Sequence, residues 1–246
     1  MNQQPQQTEH ATIWSAWRRY RFGTLLAALV GMLIYVPLIE LFAPQRHPIA
    51  TRLILATIFF WLTISAVYAV SARRRAALAS VLLAALLLAA VVADLSMLTP
   101  QTHVLSHALA ILFLGHIVIV LLEFVLHQSR VDTDTIFAAL CIYLMLGIIW
   151  AFIYSLLELI QPGAFISSHG EGQQMRFGSD GTSVALYFSF VTMTTLGFGD
   201  ITPVSASARA LVTLQAICGQ LYLTVLVAWL VGLHVSNARS DSSEAD

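Results

Sequence analysis

The stretch Thr194-Thr195-Leu196-Gly197-Phe198-Gly199-Asp200 holds the residue types most able to do chemistry in this chain, and that chemistry belongs to the backbone. In an ordinary strand successive carbonyls alternate sides. Two glycines separated by one residue can take left-handed dihedrals without steric penalty, and alternation with neighbours of the usual hand points consecutive carbonyls the same way. Leu196 and Phe198 then turn their side chains outward into packing. One face becomes a ladder of oxygens that can replace the water around a cation. A single ribbon cannot surround an ion, and the chain carries one such segment, so several copies around a central axis are required.

The elements that must position this ribbon are membrane elements. Of 246 residues, 58% are hydrophobic and only 10% charged, whereas a soluble domain carries about a quarter of its residues as charges. The formal net charge of −1 supplies no field to hold a polyanion, so a nucleic-acid partner is excluded. Cys141 and Cys218 both sit in apolar blocks, which argues against a secreted disulfide framework. A helix needs about 20 apolar residues to cross the hydrocarbon layer. Blocks that meet this run Gly23–Ala43, Thr51–Ser71, Ala76–Leu98, Val104–Leu126, Ile136–Ile160 and Val204–Val235, with Pro44, Pro48, Pro100 and Pro162 in the turns. The first block is too long and too far in for a signal peptide and is expected to remain as an anchor.

Orientation follows from arginine, since every basic residue is Arg. Arg18, Arg19, Arg21, Arg73, Arg74, Arg75, Arg130 and Arg239 fall on one side of an alternating topology, and Arg46, Arg52, Arg176 and Arg209 on the other. The richer side is expected to be cytoplasmic and to hold both termini.

Between the last two blocks, a polar loop (Gln161–Thr182) leads into Ser183–Thr194, SVALYFSFVTMT. Twelve residues reach about 18 Å, too short to cross, so the segment either re-enters on the side it came from or lies along the interface. The ribbon that follows favours re-entry, because unpaired backbone at membrane depth is tolerated only where protein or a water-filled path surrounds it.

TTLGFGD is similar to the selectivity-filter signature of tetrameric potassium channels, usually written TVGYG, and the resemblance covers Thr135 to Val235. It implies an all-α membrane protein with six transmembrane helices, a re-entrant pore helix and an extended filter loop. It further implies a cytoplasmic tail over 1–22, a four-helix unit over 23–130 resembling a voltage-sensor domain, a pore domain over 131–235 and a second tail over 236–246. The function implied is passive potassium conduction by a homotetramer in the lipid bilayer, with K+ as permeant ion and no other cofactor. Carried over, the coordinating carbonyls are those of Thr195, Leu196, Gly197 and Phe198, with the Thr195 hydroxyl as innermost ligand; Gly199 completes the strand, and Thr194, Asp200, Tyr187 and Phe188 support it. Gly219, twenty residues beyond Gly199, matches the position of a flexible glycine in the family's inner helix, and Gly219, Gln220, Leu223 and Val227 are candidates for facing the cavity.

The chain departs from the pattern at Leu196 and Phe198, in place of Val and Tyr. Phe188 lacks a donor just as Phe198 lacks a hydroxyl, so apolar packing replaces a hydrogen bond without leaving a buried group unpaired. A filter that collapses more readily at low external potassium is expected. Val191 stands where some relatives carry a carboxylate, leaving Asp200 either bonded to Tyr187 or solvated.

Gating charges are missing. The family's fourth helix carries a basic residue at every third position, each worth about 2.3 kcal/mol per 100 mV; here the block Val104–Leu126 has none, so weak voltage dependence is expected. His116, Glu123 and His127 share one helical stripe, either a proton-sensitive face or neutral groups bonded to adjacent helices, the latter being favoured. His103 and His107 lack a third metal ligand, Asp94 and Glu40 sit near outer helix ends, and Glu158 either braces the filter loop or is a surface carboxylate. The inner helix has no proline, so bending is expected at Gly219 or Gly232. Eleven residues after Val235 leave no room for a built-in cytoplasmic ligand-binding domain. The rival readings are a poorly selective monovalent cation channel and, from another class, a polytopic intramembrane enzyme or transporter, for which no GxSxG-like serine and no repeated filter segment stand out.

Overall fold

The computed structural model describes residues 21–42, 48–71, 74–97, 99–128, 132–167 and 182–243. Seven helices and two short strands follow one another among them: α1 (Arg21–Phe42), α2 (Pro48–Val70), α3 (Arg74–Met97), α4 (Pro100–Leu126), α5 (Thr133–Ile160), β1 (Phe165–Ser167), α6 (Thr182–Met193), β2 (Ile201–Pro203) and α7 (Ala206–Ser243). Arg18, Arg19, Arg46, Arg73, Arg130, Arg176 and Pro44, and most of both the N-terminal tail and the 161–182 loop, lie outside the described residues, as do the side chains of Glu40, Arg52, Arg74 and Arg239.

Capping chemistry moves two helix starts ahead of the apolar pattern. Thr99 and Thr102 form a reciprocal capping box with Pro100 in the first turn, so α4 begins four residues before Val104. Asp132 Oδ1 accepts from the Thr135 amide at 2.8 Å and its hydroxyl at 2.6 Å, which starts α5 at Thr133 rather than Ile136. Likewise Ser205 Oγ accepts from the Ala208 amide at 3.1 Å and opens α7 two residues after the expected Val204; the helix then runs on past Val235.

Among the described residues, four helical stretches are long and apolar enough to cross a bilayer: Arg75–Met97, Pro100–Leu126, Thr133–Ile160 and Ala206–Trp229. Shorter apolar helical stretches are Arg21–Val36, Ala56–Val70 and Ser183–Met193. Sequential helices pack on one another, and α5 is the hub, touching α4, α1, α6 and α7. One apolar core joins them, with Leu25 and Leu29 of α1, Phe113 and Ile117 of α4 and Ile142 and Ile148 of α5 fully covered. The all-helical expectation misses one feature: β1 and β2 pair antiparallel, Phe165 with Pro203 and Ser167 with Ile201. That ladder ties the segment after α5 to the segment after the ribbon.

Candidate functional site

The ribbon hangs from the C-terminus of α6. The Val191 carbonyl, one of the orphan acceptors a helix end provides, takes the amides of Leu196 at 2.9 Å and Gly197 at 3.3 Å. Thr194 continues the helical pattern, its amide and hydroxyl both donating to the Phe190 carbonyl at 2.9 and 2.7 Å. From there the backbone alternates in hand. Thr195, Gly197 and Gly199 have φ of 60°, 53° and 78°. Left-handed φ is open to glycine, whereas a β-branched threonine there is strained by roughly 1–3 kcal/mol. The Thr195 hydroxyl donates to the Thr194 carbonyl at 2.7 Å.

The side chains beside the ribbon divide at two adjacent residues. Tyr187 is on the exposed side of α6, donates to Asp200 Oδ2 at 2.8 Å and stacks nearly parallel on Phe198, ring centroids 6.4 Å apart. Asp200 Oδ1 accepts from the Ile201 amide at 3.1 Å, turning the chain into β2. Phe188 instead points inward and packs on Tyr154 and Phe165 at 5.2 and 5.3 Å. Within the chain Tyr187, one residue before the Phe188 expected to pack there, stacks on Phe198. Helical geometry explains the swap, because residues one apart point about 100° apart. Leu196 and Phe198 are 59% and 64% exposed, so one chain alone does not provide their packing.

Behind the outer end of the ribbon stands Glu158. It is buried, with Oε1 accepting from the Gly163 amide at 2.6 Å and Oε2 from the Phe165 amide at 3.3 Å. Of the two readings open to Glu158, the bracing one matches this geometry: the carboxylate fixes the turn at Gly163 (φ 84°) and the strand β1, which holds β2.

Sequence reasoning missed a polar cluster at the back of α6. Gln215 is fully buried; its Oε1 accepts from the Tyr154 hydroxyl and its Nε2 donates to the Ser189 carbonyl at 2.9 Å and Ser189 Oγ at 2.8 Å. Ser189 Oγ passes a bond on to the Gly147 carbonyl at 2.6 Å. The one available signal was Gln215 itself, one of two glutamines, with Gln220, in the apolar run of α7.

The four inner-helix candidates do not share a face. Gln220, Leu223 and Val227 lie on one exposed stripe of α7. Gly219 is about 100° round from Gln220 and buried, and a Cβ there would sit 2.8 Å from both the Met193 carbonyl and its Cγ. Close approach to α6 thus demands glycine at 219. By contrast, a Cβ on Gly232 would meet nothing within 4 Å.

In α4 the histidines have local partners. His116 Nε2 lies 3.1 Å from Ser80 Oγ and 3.4 Å from the Ala76 carbonyl of α3. His103 Nδ1 is 2.8 Å from Asp94 Oδ1, joining the outer ends of α4 and α3. His107 Nδ1 meets the His103 carbonyl at 2.8 Å, and its ring stands edge-on to Phe152 of α5. His127 Nδ1 is 2.7 Å from the Glu123 carbonyl. Of the stripe His116, Glu123 and His127, His116 reaches the adjacent helix α3, whereas His127 bonds back within α4. Among the described residues no group of three His, Cys, Asp or Glu could hold a metal ion.

No curated protein and no solved structure matches the chain. Residues 139–233, covering most of α5, then α6, the ribbon and most of α7, match the family model described as ion channel. With its membrane-length helices the chain is thus a membrane protein whose matched part is similar to an ion channel and points to a channel, not an enzyme.

Proposed function

We propose that this protein is a potassium-selective channel, a homotetramer that conducts K+ passively with weak voltage dependence. The observation that carries the reading is the run of left-handed dihedrals at Thr195, Gly197 and Gly199, directly after a short apolar helix within the stretch similar to an ion channel. Alternating hand is what turns successive carbonyls of Thr195, Leu196, Gly197 and Phe198 to one side as ligands for a dehydrated cation. Thr194 and Asp200 hold the two ends of that ladder, with Tyr187 and Phe188 behind it.

Fourfold assembly accounts for surface that one chain leaves open. In the apolar part of α7 only 11% is covered, against 44% in α5, and Leu196 and Phe198 stand exposed beside it. Neighbouring copies would cover part of this surface, and the stripe of Gln220, Leu223 and Val227 would line the cavity. Six helices would cross the bilayer, α1 and α2 included, with both termini cytoplasmic by arginine count. Weak voltage dependence rests on an α4 whose ionisable residues are histidines and one glutamate rather than arginines.

Reconstitution tests this. Purified protein in liposomes is expected to pass K+ and Rb+ well above Na+, and Gly197→Ala to abolish that discrimination. Equal K+ and Na+ flux would favour the poorly selective channel, and no cation flux would remove the reading.

A further inference from the structure

Two faces of the inner and outer helices are shaped to receive α6. On α7, Gln215 and Gly219 lie one turn apart; Gln215 meets Ser189 and Gly219 meets Met193, also one turn apart on α6. On α5, Gly147 receives the Ser189 hydroxyl on its carbonyl, and a Cβ at that glycine would fall 2.5 Å from the Phe190 ring. The short helix is therefore held at matched points on both sides. Two residues beyond Ser189, the Val191 carbonyl carries the amides of Leu196 and Gly197.

We infer that Gln215 is a positioning residue for the ribbon: its amide locks α6 to α7 and, through Tyr154, to α5, and thereby sets where the carbonyls of Leu196 and Gly197 stand. A buried amide suits the task better than an apolar side chain. Its oxygen accepts from one helix while its nitrogen donates twice to another, so a slide of α6 by a fraction of a hydrogen-bond length breaks bonds that have no water to replace them. Apolar contacts at the same place tolerate such a slide. The inference rests on the channel reading above, where ligand spacing decides which ion is accepted.

The test uses the full chain in liposomes. Gln215→Leu keeps similar bulk and removes every bond; the ratio of K+ to Na+ flux is expected to fall about tenfold, the size of a lost buried hydrogen bond. Gln215→Glu, protonated in that site, still accepts from Tyr154 and donates once to Ser189, and should recover part of the ratio. Tyr154→Phe, which spares both bonds to Ser189, should lower it less than Gln215→Leu. Peptide-level hydrogen exchange over residues 188–200 supplies a readout that needs no transport: Gln215→Leu should speed exchange there while peptides of α3 and α4 stay unchanged. Wild-type selectivity and exchange in Gln215→Leu would overturn the positioning role alone. A wild-type protein that passes no cations would overturn the channel reading and this role with it. Loss of oligomer in Gln215→Leu with full selectivity in Gln215→Glu and Tyr154→Phe and unaltered exchange would count against it as well.

Discussion

The first four helices and the last three solve packing in different ways. Among the described residues of α1 to α4 the core is apolar, and the polar contacts between helices are single pairs, His116 to Ser80 and His103 to Asp94, beside bonds within one turn such as Ser80 to Ala76. Around α6 the polar bonds run between helices: Tyr154 to Gln215, Gln215 to Ser189, Ser189 to Gly147, and Tyr222 to the Ala139 carbonyl at 2.6 Å. Apolar contact is non-directional and permits small adjustments, whereas a chain of buried hydrogen bonds accepts one geometry. The region that needs fixed backbone oxygens is the one built from directional bonds.

The sharpest way to break this contrast is a matched pair of glycine substitutions. A Cβ on Gly197 or on Gly115 of α4 meets nothing within 4 Å, but only Gly197 has a positive φ. Gly197→Ala is expected to cost about 1–2 kcal/mol per subunit in backbone strain and to abolish selective K+ flux. Gly115→Ala should leave flux unchanged and stabilise the helix by up to about 1 kcal/mol, read by thermal unfolding in detergent. Equal effects from the two would erase the distinction between the regions.

Acting on stability rather than on selectivity, Glu158→Ala removes the acceptor for the Gly163 and Phe165 amides; a loss of about 2–4 kcal/mol is expected, seen as a fall in Tm. His116→Leu, which leaves Ser80 bonded to the Ala76 carbonyl, should lose about 1 kcal/mol or less. Tyr187→Phe deletes one exposed, solvent-screened bond to Asp200 and should quicken the decline of flux as external K+ is lowered. The smallest expected effect is on voltage: His116→Gln should not alter the conductance–voltage relation in planar bilayers. A steep relation in the wild type, carrying several gating charges per subunit, would give α1–α4 an active role and end the contrast.

The glycine-punctuated ribbon was legible because its chemistry is local: glycine at 197 and 199 can take positive φ without steric cost, as both do, and Ser183–Thr194 is too short to cross any bilayer. Helix existence was legible for the same reason, through length and apolar content, while the starts of α4, α5 and α7 shifted to the capping residues Thr99, Asp132 and Ser205. Less visible was the partner of each polar group. Asp200 had two open readings until Tyr187 was found 2.8 Å away, and Glu158 had two until the Gly163 amide was.

Sequence by itself therefore determined that the chain is a membrane protein, where its short apolar helix lies and which residues can reverse backbone hand, since these depend on composition, length and single-residue sterics. Tertiary structure alone decided that Gln215 faces Ser189, that Gly219 yields to Met193 and that β1 meets β2. A side chain's direction round a helix is periodic and readable, but the identity of what it meets depends on the rotation and depth of a second helix, which no local pattern encodes.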